Sequence, residues 1–283
     1  MRKWAGILAI AAALGVSAPT YAAPIASWNY NISFAFTKAA FSTGSGSTTG
    51  LPAELSWGGT GGSFVVPGGN RSALTIGIDA GANRTGGGIV SGTVMTNDLT
   101  PAGIGLSNTI THWNNVISAD FGTLTGGQIT STLALETSGG DPILGLPDLA
   151  FDFLFIETPN DPSGGAACAD NTPEPCADIF ALVSSTSFDV PFMHDGIEYL
   201  ISIFPFAEGG MLGSIATLGA EQCAAAGAAP NCVGIVTNED QATSIRFAFA
   251  ITTEPLLLPE PGMLGLLALG LFGMAVVRRP RKV

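Results

Sequence analysis

Large apolar residues alternate with small or polar ones along much of the chain, which is the period of a β-strand with one buried face. The stretch from Trp28 to Phe36 has a large side chain at every second position. Clusters of Gly, Pro, Asn and Asp separate such stretches, as turns separate short strands. The further predicted strands are 71–79, 89–94, 129–135, 149–157, 181–190, 198–206 and 245–252. This pattern predicts an all-β fold, an antiparallel β-sandwich of the jelly-roll-like kind.

Two local signals refine this prediction. Asp195-Gly196 stands between two apolar stretches, and Gly accepts a positive φ without steric cost, so the pair predicts a hairpin turn. The segment 219–229 is rich in Ala and predicts the one short helix of the body.

The N-terminal residues 1–23 have the pattern of a secretory signal peptide. Arg2 and Lys3 precede an apolar stretch from Ala5 to Val16, and small residues follow at Ala22 and Ala23. This pattern predicts export, with the Sec translocon and signal peptidase as processing partners.

The C-terminal residues 256–283 combine a polar break, an apolar run and a basic end. Pro259, Glu260 and Pro261 form the break, and the run 263–277 carries no charge. The basic end, which resists translocation, consists of Arg278, Arg279, Arg281 and Lys282. At about 1.5 Å per residue the run spans roughly 22 Å, which is less than the roughly 30 Å of a bilayer core. We therefore expect one short transmembrane helix that anchors the chain only transiently.

In this order, the three parts resemble the PEP-CTERM sorting domain of Gram-negative bacteria. The resemblance implies cleavage near Pro259, Glu260 and Pro261 by an exosortase-type membrane protease or transpeptidase. It also implies delivery to the cell surface or extracellular matrix, alongside exopolysaccharide. Residues 24–255 would then be the delivered ectodomain.

The ectodomain is strongly acidic once both ends are set aside. Its basic residues are Lys38, Arg71, Arg84 and Arg246, against 22 acidic residues if Glu260 is counted with it, which gives a net charge of about −18. Such a surface repels phosphate backbones, so we expect no nucleic-acid partner.

Four cysteines follow the predicted leader, and export to an oxidising compartment favours disulfides. Four cysteines permit three pairings. We expect the two local ones, Cys168–Cys176 and Cys223–Cys232, because short loops close with little loss of entropy. The spacing does not suit a zinc site, because there is no Cys-x-x-Cys and neither histidine lies close to a cysteine pair.

The most distinctive stretch of the body is Thr111-His112-Trp113-Asn114, where His112 is one of only two histidines. His112 beside Asn114 could act as a general base, but no nucleophile or orienting acid can be identified, so we predict no catalytic residue. We expect a histidine at a strand end that bonds a neighbouring carbonyl while Trp113 packs.

This stretch also resembles the THxN group of PEP-CTERM proteins, whose motif falls on Thr111, His112 and Asn114. The resemblance implies no activity for either His112 or Asn114. The segments that accompany the motif are 55–59, 72–76, 155–160, 176–180 and 237–239.

Two acidic groups remain as candidates for calcium, which binds six to eight oxygens. One comprises Glu157, Asn160 and Asp161, and the other comprises Asp170, Glu174 and Asp178. No Asp-x-Asp-x-Asp-Gly loop occurs, so we predict no metal ligands and no cofactor, with calcium as the one ion that the sequence allows.

These features together predict a non-enzymatic surface or matrix protein with a structural or adhesive role. The alternative is a secreted enzyme or carbohydrate-binding protein that acts on polysaccharide. Paired carboxylates for glycoside cleavage cannot be told apart from the many surface acids by sequence.

Overall fold

The computed structural model describes residues 23–77, 88–158, 168, 176–183, 188–206 and 217–255. These residues form fourteen β-strands and one short helix, in the following order. They are β1 (Ser27–Phe41), β2 (Thr48–Gly50), β3 (Glu54–Gly58), β4 (Arg71–Gly77), β5 (Val90–Met95), β6 (Gly105–Asn114), β7 (Leu124–Thr137), β8 (Pro142–Ile143), β9 (Leu149–Ile156), β10 (Asp178–Leu182), β11 (Phe188–His194), β12 (Ile197–Phe206), α1 (Ala220–Ala225), β13 (Val233–Thr237) and β14 (Gln241–Thr252).

The strands form two antiparallel sheets of seven strands each. The first sheet has the order β13-β10-β9-β7-β1-β5, with β8 added beside β7. The second has the order β11-β12-β14-β6-β4-β3-β2. The longest pairing joins β1 to β7, from Trp28 opposite Thr137 to Phe41 opposite Leu124.

The alternation in β1 determines which of its faces is buried. Successive side chains of a strand point to opposite faces, so every second residue faces the same way. Trp28, Tyr30, Ile32, Phe34 and Phe36 are all buried, whereas none of the residues between them is. The period of two read from the sequence therefore becomes one apolar face along the first sheet.

The two sheets pack face to face over a shared aromatic core. Phe34 of β1 and Phe247 of β14 have ring centroids 5.4 Å apart. At the other end of β1, Trp28 makes an edge contact with Tyr199 of β12 at 5.0 Å. Each such side chain contributes about 1.5–3 kcal/mol when it leaves water, which makes this core the main source of stability.

The predicted all-β antiparallel class is confirmed, and the jelly-roll-like likeness stays a prediction. Asp195-Gly196 joins β11 to β12, and both residues have positive φ, at 50° and 77°. A two-residue hairpin turn of the mirror-image type requires such φ values, which explains the pair. The short helix α1 lies inside the segment predicted for it.

Two sequence predictions need correction. The single strand predicted over 181–190 is two strands in different sheets, because β10 ends at Leu182 and β11 begins at Phe188. The polar residues 184–187 separate the two apolar halves of that segment. β6 was not predicted as a strand, because nine of its ten residues are buried, so neither face is exposed and large apolar residues do not alternate with polar ones along it.

Two disulfides are formed, and they join the two local pairs, Cys168–Cys176 and Cys223–Cys232. The second of these closes a small apolar cluster in which Cys223 of α1 packs with Ile179 and Ala181 of β10. The helix thus covers the outer face of β10.

Removal of the Cys223–Cys232 bridge is expected to destabilise the protein measurably. A closed loop of this length contributes about 2.5 kcal/mol through the entropy of the unfolded chain. The double variant Cys223→Ala/Cys232→Ala should therefore melt about 5–10 °C below the parent in calorimetry. The Cys168→Ala/Cys176→Ala variant opens a loop of similar length and should lower the melting temperature by a similar amount. If the Cys223→Ala/Cys232→Ala variant had the same melting temperature as the parent, the bridge would contribute nothing to the free energy of unfolding.

The predicted signal peptide and the C-terminal apolar helix lie outside the described residues, and the division at residues 23 and 256 stays a prediction. No helix among the residues that the structure describes is long and apolar enough to cross a bilayer.

Candidate functional site

The two faces of β6 divide the Thr-His-Trp-Asn stretch into two pairs of side chains. Thr111 and Trp113 lie on one face, where Thr111 hydrogen-bonds Ser244 and the Trp113 indole donates to Thr75 Oγ1 at 2.9 Å. His112 and Asn114 lie on the other face by the period of two. Both are fully buried at the end of the core.

Aromatic rings surround His112. The Trp57 ring stacks on it at 5.9 Å, and the Phe155 ring meets it edge-on at 4.9 Å. Because a charged imidazole is costly in this apolar setting, burial lowers the pKa of His112 to about 3. Neither ring nitrogen makes a hydrogen bond to a described residue, so the expected bond to a neighbouring carbonyl is not formed there.

Three acidic side chains that flank strands of the first sheet extend into the same end of the core as His112 and Asn114. Asp178 begins β10, Glu157 follows β9, and Glu239 follows β13 at the crossing to β14. One of these carboxyls contacts the histidine, with His112 Nε2 and Asp178 Oδ2 3.6 Å apart. We call this group the buried acid cluster, and it comprises His112, Asn114, Glu157, Asp178 and Glu239.

In each of these carboxyl groups, one oxygen accepts a hydrogen bond from a protein N–H. The three bonds are Thr158 N–H to Asp178 Oδ1 at 2.8 Å, Trp57 Nε1–H to Glu157 Oε2 at 2.6 Å, and Asn114 Nδ2–H to Glu239 Oε1 at 3.3 Å. The second oxygens, Asp178 Oδ2, Glu157 Oε1 and Glu239 Oε2, are buried and have no N–H or hydroxyl partner among the described residues. The Glu157 and Asp178 carboxyls hydrogen-bond each other, which requires that one of them carries a proton.

Burial raises the pKa values of all three acids, and repulsion by a neighbouring carboxylate adds to it, which for Glu239 comes from Asp240. Desolvation raises the pKa of Glu157 to about 8, and it raises that of Glu239 to about 7. The pKa of Asp178 lies well above its usual range, first through desolvation and then through the nearby Glu157 carboxylate. No Lys or Arg of the described chain contributes to these three shifts. Protonation of these carboxyl groups therefore keeps the net negative charge of the buried acid cluster small near neutral pH.

A surface pocket of about 580 Å³ lies next to the cluster. Residues 42–43 after β1 and 116–123 after β6 form most of its wall, and Glu157 and Thr158 complete it. Hydroxyl side chains and the Phe121 ring line this pocket. Glu157 thus links the cluster to the surface.

The two acidic groups considered for calcium are arranged differently from the prediction. Glu157 and Asp178, one from each group, come together in the buried acid cluster. Their expected neighbours Asn160, Asp161, Asp170 and Glu174 lie outside the described residues. Among the described side chains, no three of His, Cys, Asp or Glu surround a common point closely enough to hold a metal ion as they stand.

Sequence reasoning singled out His112 and Asn114 but gave no role to Trp57, Thr158 or Glu239. The available signal was the set of segments that resemble the THxN group. Four of those five segments, 55–59, 155–160, 176–180 and 237–239, supply a residue to the buried acid cluster or a donor to one of its carboxyls.

Comparison with known proteins identifies one region of the chain. Residues 258–282 match the family model of the PEP-CTERM protein-sorting motif, which includes Pro259, Glu260, Pro261 and the four basic residues of the tail. The motif implies an exported protein that is sorted by exosortase. The two disulfides agree with a surface location. No curated protein matches the chain significantly.

Proposed function

We propose that exosortase processing delivers residues 24–255 to the cell surface or extracellular matrix, where they have a structural or adhesive role associated with exopolysaccharide. We further propose that the chain belongs to the THxN group and catalyses no reaction. The segments that resemble this group share one buried cluster, which supports a common architectural role for them.

The observation that carries the non-enzymatic proposal is the burial of His112. The histidine is 0% exposed and is enclosed by Trp57 and Phe155, so a substrate in solvent cannot reach it. A general base must lie within hydrogen-bond reach of the proton that it removes. The buried acid cluster also offers no activated nucleophile among the described residues.

The surface that remains for contact is acidic. Glu136, Asp141 and Asp148 are exposed around the connection from β7 to β9. Leu144, within the same connection, is 85% exposed. We call these four residues the acidic loop, and we propose that it contacts polysaccharide or other surface proteins, with divalent cations bridging between anionic groups.

A binding experiment with a charge-matched control tests this proposal. The full chain is sedimented with surface polysaccharide from an exosortase-carrying bacterium in buffer with Mg²⁺. The triple variant Glu136→Gln/Asp141→Asn/Asp148→Asn should bind roughly tenfold more weakly, because three contacts of about 0.5 kcal/mol each are lost. The control Asp195→Asn/Glu198→Gln/Asp240→Asn changes the net charge equally and should bind like the parent. Equal binding by all three proteins would exclude the acidic loop as the site that contacts polysaccharide.

The alternative is a secreted enzyme or carbohydrate-binding protein that acts on polysaccharide, and the pocket beside Glu157 favours it. Its wall carries hydroxyl groups and an aromatic ring, which suit a sugar, and an acid with a raised pKa. The same incubation distinguishes the two: new reducing ends that disappear in a Glu157→Gln variant would support the enzyme, and their absence would support the adhesive role.

A further inference from the structure

Three contacts of the buried acid cluster cross from the first sheet to the second. Glu157, which follows β9, accepts a hydrogen bond from the indole N–H of Trp57 in β3 at 2.6 Å. Asp178 of β10 lies against His112 of β6, with Oδ2 3.6 Å from Nε2. The third contact joins Glu239 to the end of β6 at 3.3 Å. The three acids therefore connect β9, β10 and the β13–β14 crossing to the second sheet at this end of the core.

Two of these acids also bond to each other. The Glu157 and Asp178 carboxyls form a hydrogen bond, and an ionised carboxylate can only accept one, so one member of the pair carries a proton. Asp178 is 0% exposed, and a buried charge without a partner is costly. The pair therefore shares one proton, and its titration belongs to both groups together.

Among the described residues, no basic side chain neutralises this pair. Two of the four basic residues of the ectodomain bond to hydroxyl groups instead. Arg71 donates to Ser56 Oγ at 3.0 Å, and Arg246 donates to Thr109 Oγ1 at 3.2 Å. Lys38 is exposed on β1, and the fourth lies outside the described residues. None of the described cations contributes to the shifted pKa values of the cluster.

The titratable groups that face the pair supply no positive charge either. From β6, His112 is kept neutral by burial, which lowers its pKa to about 3. From the β13–β14 crossing, Glu239 adds negative charge, with the exposed Asp240 beside it. From β3, Trp57 contributes an uncharged donor. Within the described part of the chain, a proton is therefore what separates the two carboxylates.

We propose that the buried acid cluster is a pH-sensitive junction, which holds the two sheets together while Glu157 and Asp178 share a proton. Loss of that proton leaves two adjacent carboxylates in an apolar core, and their repulsion separates β9 and β10 from β3 and β6. The pocket beside Glu157 lets water and hydroxide reach the pair. This end of the sandwich therefore opens in alkaline surroundings. The inference does not depend on the proposed surface function.

The direction of the pH dependence follows from the raised pKa values. A carboxyl whose pKa is raised on folding stabilises the protein fully below its unfolded pKa of about 4, and this stability is lost as the pH rises through the folded pKa. The folded pKa is about 8 for Glu157 and about 7 for Glu239. Ordinary surface carboxyls are ionised throughout the range from about pH 6 to pH 9, so a loss of stability in this range reports the cluster.

Chemical denaturation of the full chain at about pH 6 and pH 9 measures this loss. We expect the equilibrium constant for unfolding to rise roughly 100-fold over this range, because each proton retained on folding changes it up to tenfold per pH unit. Glu157→Gln should reduce the rise to about tenfold, because an amide donates to Asp178 without a proton from solution. Asp178→Asn should act in the same way. Glu136→Gln, at an exposed acid of β7, is the matched control and should show the full rise.

Infrared spectroscopy detects the shared proton itself, since the C=O stretching band of a protonated carboxyl differs from the bands of a carboxylate. The parent should show a protonated-carboxyl band near neutral pH that fades in alkaline buffer, and Glu157→Gln should show a weaker one. A substitution that only destabilised the fold would not weaken this band. If Asp178→Asn fails to fold, Glu157→Gln and the band of the parent still decide the question.

The proposal is overturned if the stability of the parent is constant between about pH 6 and pH 9, because no buried carboxyl then titrates there. It is overturned equally if Glu157→Gln and Asp178→Asn both keep the full rise, since another group then causes it. Absence of the protonated-carboxyl band near neutral pH would contradict the shared proton.

Discussion

Deletion of residues 258–283 is expected to remove the protein from the surface fraction of an exosortase-carrying host. The deleted segment contains the whole PEP-CTERM match, so the exosortase loses the sequence that it recognises. Residues 24–255 keep both cysteine pairs and the full core, so export through the predicted N-terminal signal should continue. The measurement is immunodetection in surface, membrane and periplasmic fractions, and a near-complete loss from the surface is the expected result.

Two smaller changes separate the parts of the sorting signal. Pro259→Ala/Glu260→Gln/Pro261→Ala leaves the apolar run and basic end intact, so an uncleaved, membrane-retained precursor is expected. Replacement of Arg278, Arg279, Arg281 and Lys282 by Gln removes the basic end that holds the run at the cytoplasmic side. A host without exosortase is the control for both. Unchanged surface amounts of the deletion variant would contradict sorting by this motif.

Trp28→Ala is expected to be the most destabilising single substitution in the first sheet. The Trp28 side chain is 0% exposed and contacts Tyr199 at 5.0 Å and Phe192 at 5.5 Å between ring centroids. Its indole N–H also donates to Thr96 Oγ1 at 2.9 Å. Truncation of a buried Trp costs about 3–5 kcal/mol, because a cavity remains where the ring was. Chemical denaturation of the full chain measures this loss.

Two further variants separate the packing and hydrogen-bonding contributions of Trp28 to the free energy of unfolding. Trp28→Phe retains part of the ring and should lose less than Trp28→Ala. Thr96→Val removes the acceptor of the Trp28 bond and also the hydroxyl that donates to Ile25 O, so it should cost about 2 kcal/mol. Leu144→Ala, at a position 85% exposed, is the surface control and should stay within about 0.5 kcal/mol of the parent. A loss below about 1 kcal/mol for Trp28→Ala would contradict the role of Trp28 in joining the sheets.

Much of the fold followed from local pattern. Strands with one buried face, such as β1 and β7, alternate clearly, because the period of two separates the core side from the solvent side. β6 escaped prediction, since a loop covers its outer face and Phe64 lies 6.0 Å from Trp113 between ring centroids. A strand buried on both faces has no alternation to detect. The division of 181–190 between two sheets was also missed. Apolar residues stand on both sides of the polar residues 184–187, so the segment resembles a single strand.

The candidate site was only partly predictable. His112 and Asn114 attracted attention through their rarity and their spacing, and Glu157 and Asp178 entered as members of two separate acidic groups. Nothing local indicated that Asp178 would meet His112, which lies 66 residues earlier in the chain. Pairing of β10 with β9 and β13 in one sheet, and packing of that sheet on β6, create the contact.

Local patterns along the chain were enough to indicate that the protein is exported and sorted, and that its fold is all-β. Both depend on short-range features: a predicted leader, the sorting motif at 258–282, and the alternation of apolar residues along each strand. The burial of His112 and its contact with Asp178, beside two further buried acids, emerged only when distant strands were brought together in the fold. Burial and proximity between distant residues arise when two sheets pack together, and a linear pattern does not record which strands become neighbours.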